Sequence, residues 1–182
     1  MWFLREKIAF GCNKCGECCR DMDVPLTHSD IYRLLQSGTK LDPEILITMH
    51  PARDDEFDAV LLYGEYNTLY LTNKLSDNSC LFLENNACTI YDYRPNSCRT
   101  WPFSKNSRNE LLIDTVANKT VDIFCDKTPF KGQKNTKKTI DSGIAEVIES
   151  RRLIKKWNRE VEFQPEKQNL EEYIRYISKF FE

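Results

Sequence analysis

The sequence has 182 residues and a net charge of −2, although 30% of its residues are charged. That length fits one domain of ordinary size, and the near balance of charge excludes a global field able to draw nucleic acid or an anionic membrane. Hydrophobic residues at 41%, with 12% aromatic, suffice for a core, which excludes wholesale disorder.

No apolar run approaches the roughly 18–20 residues that a membrane-spanning helix needs. Met1 to Lys7 lacks the basic head, apolar centre and small-residue cleavage site of a signal peptide, so a cytoplasmic location is expected. The cytosol keeps thiols reduced in most organisms, hyperthermophiles being the exception. Eight cysteines in such a chain are therefore read as metal ligands or redox centres rather than as four structural disulfides.

In chain order, a dense cysteine cluster comes first. Asp23-Val24-Pro25-Leu26 then reads as a short extended piece. Thr27 and Asp30 have the spacing of a capping box, which predicts a helix starting at Thr27. Ile31, Leu34 and Leu35 give it an apolar stripe, and Gly38 ends it. Asp42 as N-cap and Pro43 at the first helical position predict a second helix carrying Ile45, Leu46 and Met49, stopped by Pro51.

From about Phe57 to Cys125 the chain reads mainly as strand. Val60 to Tyr63 and Leu69 to Thr72 are β-rich runs separated by Gly64 and Asn67. Leu81-Phe82-Leu83 and Thr89-Ile90-Tyr91 flank Asn85-Asn86, a hairpin turn. Leu111 to Ile113 and Val121 to Phe124 add two candidate strands, with Asn118-Lys119 between them. Beyond Cys125, a lysine-rich connector from Lys131 to Lys138 precedes a helical pattern of Ile140, Ile144, Val147, Ile148, Ile154 and Trp157. Pro165 breaks that pattern. Asn169 and Glu172 then open a last helix with Leu170, Ile174, Ile177 and Phe181 on one face. The expected whole is an α+β fold: a small cysteine-rich, metal-centred domain over residues 1–130, with a helical C-terminal cover over 131–182.

The chemistry resides in the cysteines. Cys12-Asn13-Lys14-Cys15-Gly16-Glu17-Cys18-Cys19 places two-residue gaps between thiols, which lets them converge from a tight turn that Gly11 and Gly16 make possible. Three cysteines at this spacing recur in iron–sulfur loops, although the fourth cysteine and proline of the ferredoxin run are absent. The spacing also differs from the C-x3-C-x2-C arrangement of radical S-adenosylmethionine enzymes. Neighbouring side chains are expected to diverge, so Cys18 and Cys19 either serve two centres, serve different irons of one cluster, or include one spare buried thiol. Cys80 and Cys88 bracket the hairpin, Cys98 follows the turn fixed by Pro95, and Cys125 closes the last candidate strand. Alone, these four spacings say little, since isolated cysteines are commonly just buried. Beside the upstream loop they become completing ligands.

Together, Cys-x2-Cys-Gly-x-Cys-Cys, Cys80-x-Phe82-Leu83, Cys88-Thr89-Ile90-Tyr91, Arg94-Pro95 and Cys98-Arg99-x-Trp101-Pro102-Phe103 resemble the YkgJ-like cysteine-cluster family, a zinc- or iron-chelating CxxCxxCC domain. The resemblance runs from about Phe10 to Cys125. It implies chelation by Cys12, Cys15, Cys18, Cys19, Cys80, Cys88, Cys98 and Cys125. A more distant similarity to part of the flagellin lysine N-methylases implies only the shared metal domain, because those enzymes are longer and no glycine-rich S-adenosylmethionine loop is present here.

Four thiolates suit zinc and iron alike. Zinc ligands usually come as well-separated pairs, whereas four cysteines crowded in one loop better suit the corners of an iron–sulfur cluster, expected to be of the 4Fe–4S type. Zinc is the alternative. Neither His28 nor His50 is read as a ligand, and His28 is expected to be solvated or capping at its helix start.

Arg94 and Arg99 flank a ligand and either neutralise thiolate charge or pair with carboxylates such as Asp92. Trp101 and Phe103 are expected to shield the metal. The lysine run 131–138 reads as a solvated linker, and Asp54, Asp55, Glu56 and Asp58 as an acidic surface segment. No Ser-His-Asp set, P-loop or dinucleotide fingerprint occurs, so no catalytic base is nominated.

The leading expectation is a metal-binding protein with an iron–sulfur cluster, acting in electron transfer or as the cofactor unit of an enzyme complex, with a protein or redox partner. A zinc-stabilised interaction module is the second reading. An S-adenosylmethionine-dependent protein methyltransferase, or a subunit of one, is the third.

Overall fold

The computed structural model describes residues 8–13, 15–20 and 22–181. The opening segment Met1 to Lys7 and Lys14 of the cysteine motif lie outside the described residues.

The fold is α+β. Strand β1 (Ala9–Gly11) leads through a 3-10 turn (Glu17–Cys19) to β2 (Val24–Pro25). Helix α1 (His28–Leu35) follows, with both halves of its capping box formed: Thr27 Oγ1 accepts from the Asp30 N–H, and Asp30 accepts from the Thr27 N–H. Helix α2 (Pro43–Leu46) is shorter than its caps predict. The chain turns directly into strand β3 (Ile47–Pro51), so Met49 belongs to a sheet rather than a helix. The β-branched pair Ile47-Thr48 favours that outcome once a partner strand is available.

Strands β4 (Val60–Leu62) and β5 (Glu65–Leu71) form a hairpin whose turn residues Tyr63 and Gly64 both have positive φ. Central β5 pairs antiparallel with β3 along one edge, and with β2 and β4 along the other. Its alternation buries Asn67, Leu69 and Leu71 on one face, as period-2 geometry requires.

The second hairpin is shorter. Strands β6 (Leu83–Glu84) and β7 (Ala87–Cys88) flank Asn85 and Asn86, whose φ values of 48° and 61° are those of the expected tight turn. Thr89 and Ile90 lie outside it, and a 3-10 turn (Tyr91–Tyr93) follows. Helix α3 (Asn96–Thr100) and the antiparallel pair β8 (Phe103–Lys105) and β9 (Leu111–Ile113) come next.

Residues 121–124, expected as strand, are the end of helix α4 (Thr115–Phe124), which also includes Asn118 and Lys119. Val121 is fully buried there, and a four-residue apolar run cannot by itself separate a buried strand from a helix end. Cys125 therefore closes a helix, its N–H donating to the Val121 carbonyl at 3.2 Å, and strand β10 (Asp126–Pro129) returns to pair with β1.

Helix α5 (Gln133–Val161) absorbs most of the lysine run that reads as a linker. Without proline or a turn signal to oppose it, the long helix extends through those good helix formers. It buries Ile140, Leu153, Ile154, Trp157 and Val161, whereas Ile144 and Ile148 face outward and are exposed. After a 3-10 turn (Pro165–Lys167), helix α6 (Leu170–Ser178) is capped by Asn169, which accepts from the Glu172 N–H at 2.9 Å.

The main core lies between the β5 sheet and helices α1, α5 and α6. Trp157 joins these layers: its indole N–H donates to the Leu61 carbonyl at 3.0 Å, and its ring stands edge-on to Tyr173. Asn158 continues the contact through Leu61 N and Ala59 O. A smaller core of Phe103, Leu111 and Ile140 takes in Phe10 and Phe130. No helix among the described residues is long and apolar enough to cross a membrane.

Candidate metal centre

The cysteine loop is shaped by one left-handed residue. Gly16 has φ 81°, and a Cβ there would stand 3.2 Å from both Asn86 Cα and Leu83 Cδ1. Only glycine lets the loop turn and lie against the β6–β7 hairpin at once. The Glu17–Cys19 turn then carries Cys18 and Cys19 onto the hairpin. Cys19 O accepts from the Cys80 N–H at 2.7 Å, and Arg20 bridges to Ser79.

Four thiols from separate segments gather at this junction. Cys19 comes from the 3-10 turn, Cys80 from the run into the hairpin, Cys88 from β7 opposite Leu83, and Cys98 from α3. Cys80, Cys88 and Cys98 all pack against the main core. Burial pushes the Cys80 thiol up to about 11, with charge at Cys19 and Cys88 adding to it. Burial raises Cys98 as well, followed by charge at Cys80, Cys19 and Cys88. Cys88 is raised by burial and by Cys19. Every pair among the four is therefore within electrostatic reach.

Cys18 and Cys19 depart from the expected divergence. The tight turn holds their Sγ atoms 3.9 Å apart. The hydrogen bond between them raises Cys18 and lowers Cys19 to about 7, because one S–H stabilises the other thiolate. Arg94 and Arg20 also favour the Cys19 thiolate.

The remaining cysteines form a second neighbourhood. Gly11 of β1 pairs with Asp126 of β10, which brings the flanking Cys12 and Cys125 to the same end of the ladder. Asn13 Nδ2 donates to the Phe124 carbonyl at 2.6 Å, while Asn13 Oδ1 accepts from the Cys15 N–H at 3.2 Å. Burial raises Cys125, and charge at Cys15 and Cys12 adds to it.

All eight cysteines are free thiols. Soft sulfur donors suit zinc and iron, so the donor chemistry fits both. Among the described residues, no group of three or more His, Cys, Asp or Glu side chains is drawn together as a closed metal site. A metal held by these cysteines would have to draw them closer together and displace their protons.

The flanking residues divide in role. Arg94 stands among the thiols: its charge acts on Cys19, Cys88 and Cys98, and its guanidinium lies 3.5 Å from the Tyr91 ring centroid. Arg99 turns away to Glu146 of α5 at 3.3 Å. Phe103 and Trp101 pack edge-on around Phe10, two residues before Cys12. His28 is buried rather than solvated, stacked on Phe181, with Nε2 3.2 Å from Ser29 Oγ. Its backbone N–H donates to Ser150 Oγ, which draws it under α5. His50 packs on Tyr70. In the acidic segment, Asp58 is paired with Arg151 and Asp55 with Arg53.

Sequence reasoning missed the network beneath Cys98. Asp30, 1% exposed, accepts from the Asn96 N–H at 2.7 Å and pairs with Arg33 at 2.5 Å. Arg33 reaches on to Glu146, which also holds Arg99. Gly143 of α5 lies so close to Asn96 that a Cβ there would fall 2.2 Å from its amide. The α1 cap and α5 together thus seat the short helix that presents Cys98. A surface cleft lined by Thr27, Asp58, Ser150 and Arg151, among others, includes no cysteine.

An α+β chain that brings cysteines from distant segments together offers soft donors of the kind that zinc and iron accept. It belongs to the CxxCxxCC family, described as a putative zinc- or iron-chelating domain, whose profile matches residues 11–139, well over half of the chain. No curated protein and no solved structure matches it.

Proposed function

We propose that the chain holds an iron–sulfur cluster, of the 4Fe–4S type, on Cys19, Cys80, Cys88 and Cys98, serving electron transfer or acting as the cofactor unit of an enzyme complex. One observation carries this reading: thiol-bearing residues from four separate segments meet at one junction, where Cys19 O accepts from the Cys80 N–H at 2.7 Å and Cys80, Cys88 and Cys98 pack against the same core. Four thiolates are the usual anchor of such a cluster, and the bound group would supply one-electron chemistry. The chain's own residues would fix the thiolates, exclude water with the core behind Cys80, Cys88 and Cys98, and offset negative charge through Arg94.

Zinc is the second reading. The 3.9 Å between the Cys18 and Cys19 sulfurs is close to the edge of about 3.8 Å in a tetrahedron of Zn–S bonds of about 2.3 Å. Anaerobic purification tests both. Bound iron with acid-labile sulfide and broad visible absorption supports the cluster. A colourless protein with stoichiometric zinc removes it in favour of zinc.

A further inference from the structure

We propose that the cleft between helix α5 and the β5 sheet binds a free α-amino acid whose side chain ends in a neutral amide, of the glutamine class. No cysteine lines this cleft, so the site stands apart from the metal reading above.

The topology of the sheet opens the cleft. Along one edge of β5, strand β4 pairs with Glu65 to Asn67 and strand β2 with Tyr70 and Leu71, which leaves Thr68 and Leu69 between the two. Helix α5 crosses that interval with Val147, Ser150, Arg151 and Ile154, four residues spaced to share one helical face. The space is about 380 Å³, within the range of small-molecule sites, and Val60, Leu69 and the buried Tyr173 also line it.

Its two ends differ in chemistry. At one end Arg151 holds Asp58 through Nε at 2.9 Å and Nη2 at 3.1 Å, and both side chains are about half exposed. An ion pair at that exposure contributes little, so a ligand can exchange into it at small cost. A zwitterion meets both charges at once, its carboxylate on the Arg151 fork and its ammonium beside Asp58. At the other end Asn96 Oδ1 and Ser97 Oγ are buried without a hydrogen-bond partner among the described residues. Buried polar atoms are nearly always paired. A primary amide would pair both, donating to Asn96 Oδ1 and accepting from the Ser97 hydroxyl. A charged tip finds no counterion there, because the one buried carboxylate, Asp30, already accepts from Thr27 N and Oγ1, Asn96 N and Arg33. Asn96 lies against Gly143, and from Gly143 to Arg151 the helix rises about 12 Å. A glutamine zwitterion spans about 7 Å from carboxylate to amide, and a hydrogen bond of about 2.9 Å at each end brings it to that scale.

Titration calorimetry on the anaerobically purified holoprotein, with L-glutamine as the probe, tests the assignment. The expected result is saturable binding of one equivalent. Three analogues check the two ends on the unaltered protein: L-glutamate carries a charged tip, L-norleucine has no polar tip, and N-acetyl-L-glutamine has no ammonium. Each should bind at least about tenfold more weakly than L-glutamine, the loss expected when a charge or a buried polar group is left unmatched. Arg151→Gln should weaken L-glutamine by a similar factor, and Ser97→Ala should narrow its advantage over L-norleucine. Unchanged metal content and urea midpoint in the Arg151 variant separate loss of the site from loss of the fold, and the analogue series decides the matter if that variant does not fold. Absence of saturable L-glutamine binding would overturn the proposal. Equal affinity for L-glutamine and L-norleucine would overturn it as well, as would full affinity in a folded Arg151→Gln protein.

Discussion

Gly16→Ala should damage the fold more than its left-handed backbone alone explains, and Gly38→Ala supplies the comparison. Both glycines have similar φ values, 81° and 76°. A non-glycine residue in that region costs about 1–2 kcal/mol. At Gly38 a new Cβ meets nothing within 4 Å, so the cost should stop there. At Gly16 it meets Asn86 Cα and Leu83 Cδ1, both at 3.2 Å. Leu83 can shift, but Asn86 Cα is turn backbone held at φ 61°. Forcing the loop off the hairpin adds a further penalty of about 1–3 kcal/mol, as overpacking does. Urea unfolding of the two variants under identical metal loading measures the difference. With a slope of about 1–3 kcal/mol/M, the Gly16 variant should unfold at least about 0.3 M earlier than the Gly38 variant. Equal midpoints would refute the reasoning, since the loop would then not depend on its close approach to the hairpin that carries Cys88.

Further outcomes follow from the thiols and the charge network. In reduced, metal-stripped protein at pH 7, iodoacetamide with peptide mapping should label Cys19 at least about tenfold faster than Cys80, because one is lowered to about 7 and the other pushed up to about 11. Equal rates would show that the Cys18 hydrogen bond does not form. The metal-stripped fold should also weaken at alkaline pH. Burial raises Cys80 from 9.0 to about 11, so the stability it contributes is present below pH 9 and is lost as pH climbs through about 11, and Cys88 and Cys98 are raised in the same direction. A melting temperature that stays flat or rises over that interval would contradict this. Glu146→Gln should cost about 1–3 kcal/mol in urea unfolding, because Arg33 and Arg99 lose a half-buried carboxylate they share. A change below about 0.5 kcal/mol would mean that solvent already screens the pair.

Much of the fold could be read locally. The capping box of Thr27 and Asp30, the Asn85-Asn86 turn and the Asn169 cap each depend on residues within a few positions of one another, and each forms as read. Readings failed where a distant partner chose between two local options. Ile47 to Pro51 left its helix because β5 offered a ladder. Val121 to Phe124 became helical with Val121 buried in the interior. Lys134, Lys137 and Lys138 joined α5, whose apolar stripe reaches the smaller core at Ile140. His28 was buried because Phe181, far along the chain, stacks on it.

For the candidate centre, the sequence alone supplied the candidate donors: eight cysteines, four of them crowded in one loop with a glycine where the turn must reverse. Only the tertiary structure decided their grouping, and the reason is distance along the chain. Cys98 reaches its neighbours through a helix seated by Asp30 and Gly143, and Cys125 reaches Cys12 through a ladder that joins the two ends of the matched region. Spacing fixes which thiols can share a turn. It carries no record of which strand or helix will later be folded against that turn, because those contacts are set by burial of the whole chain.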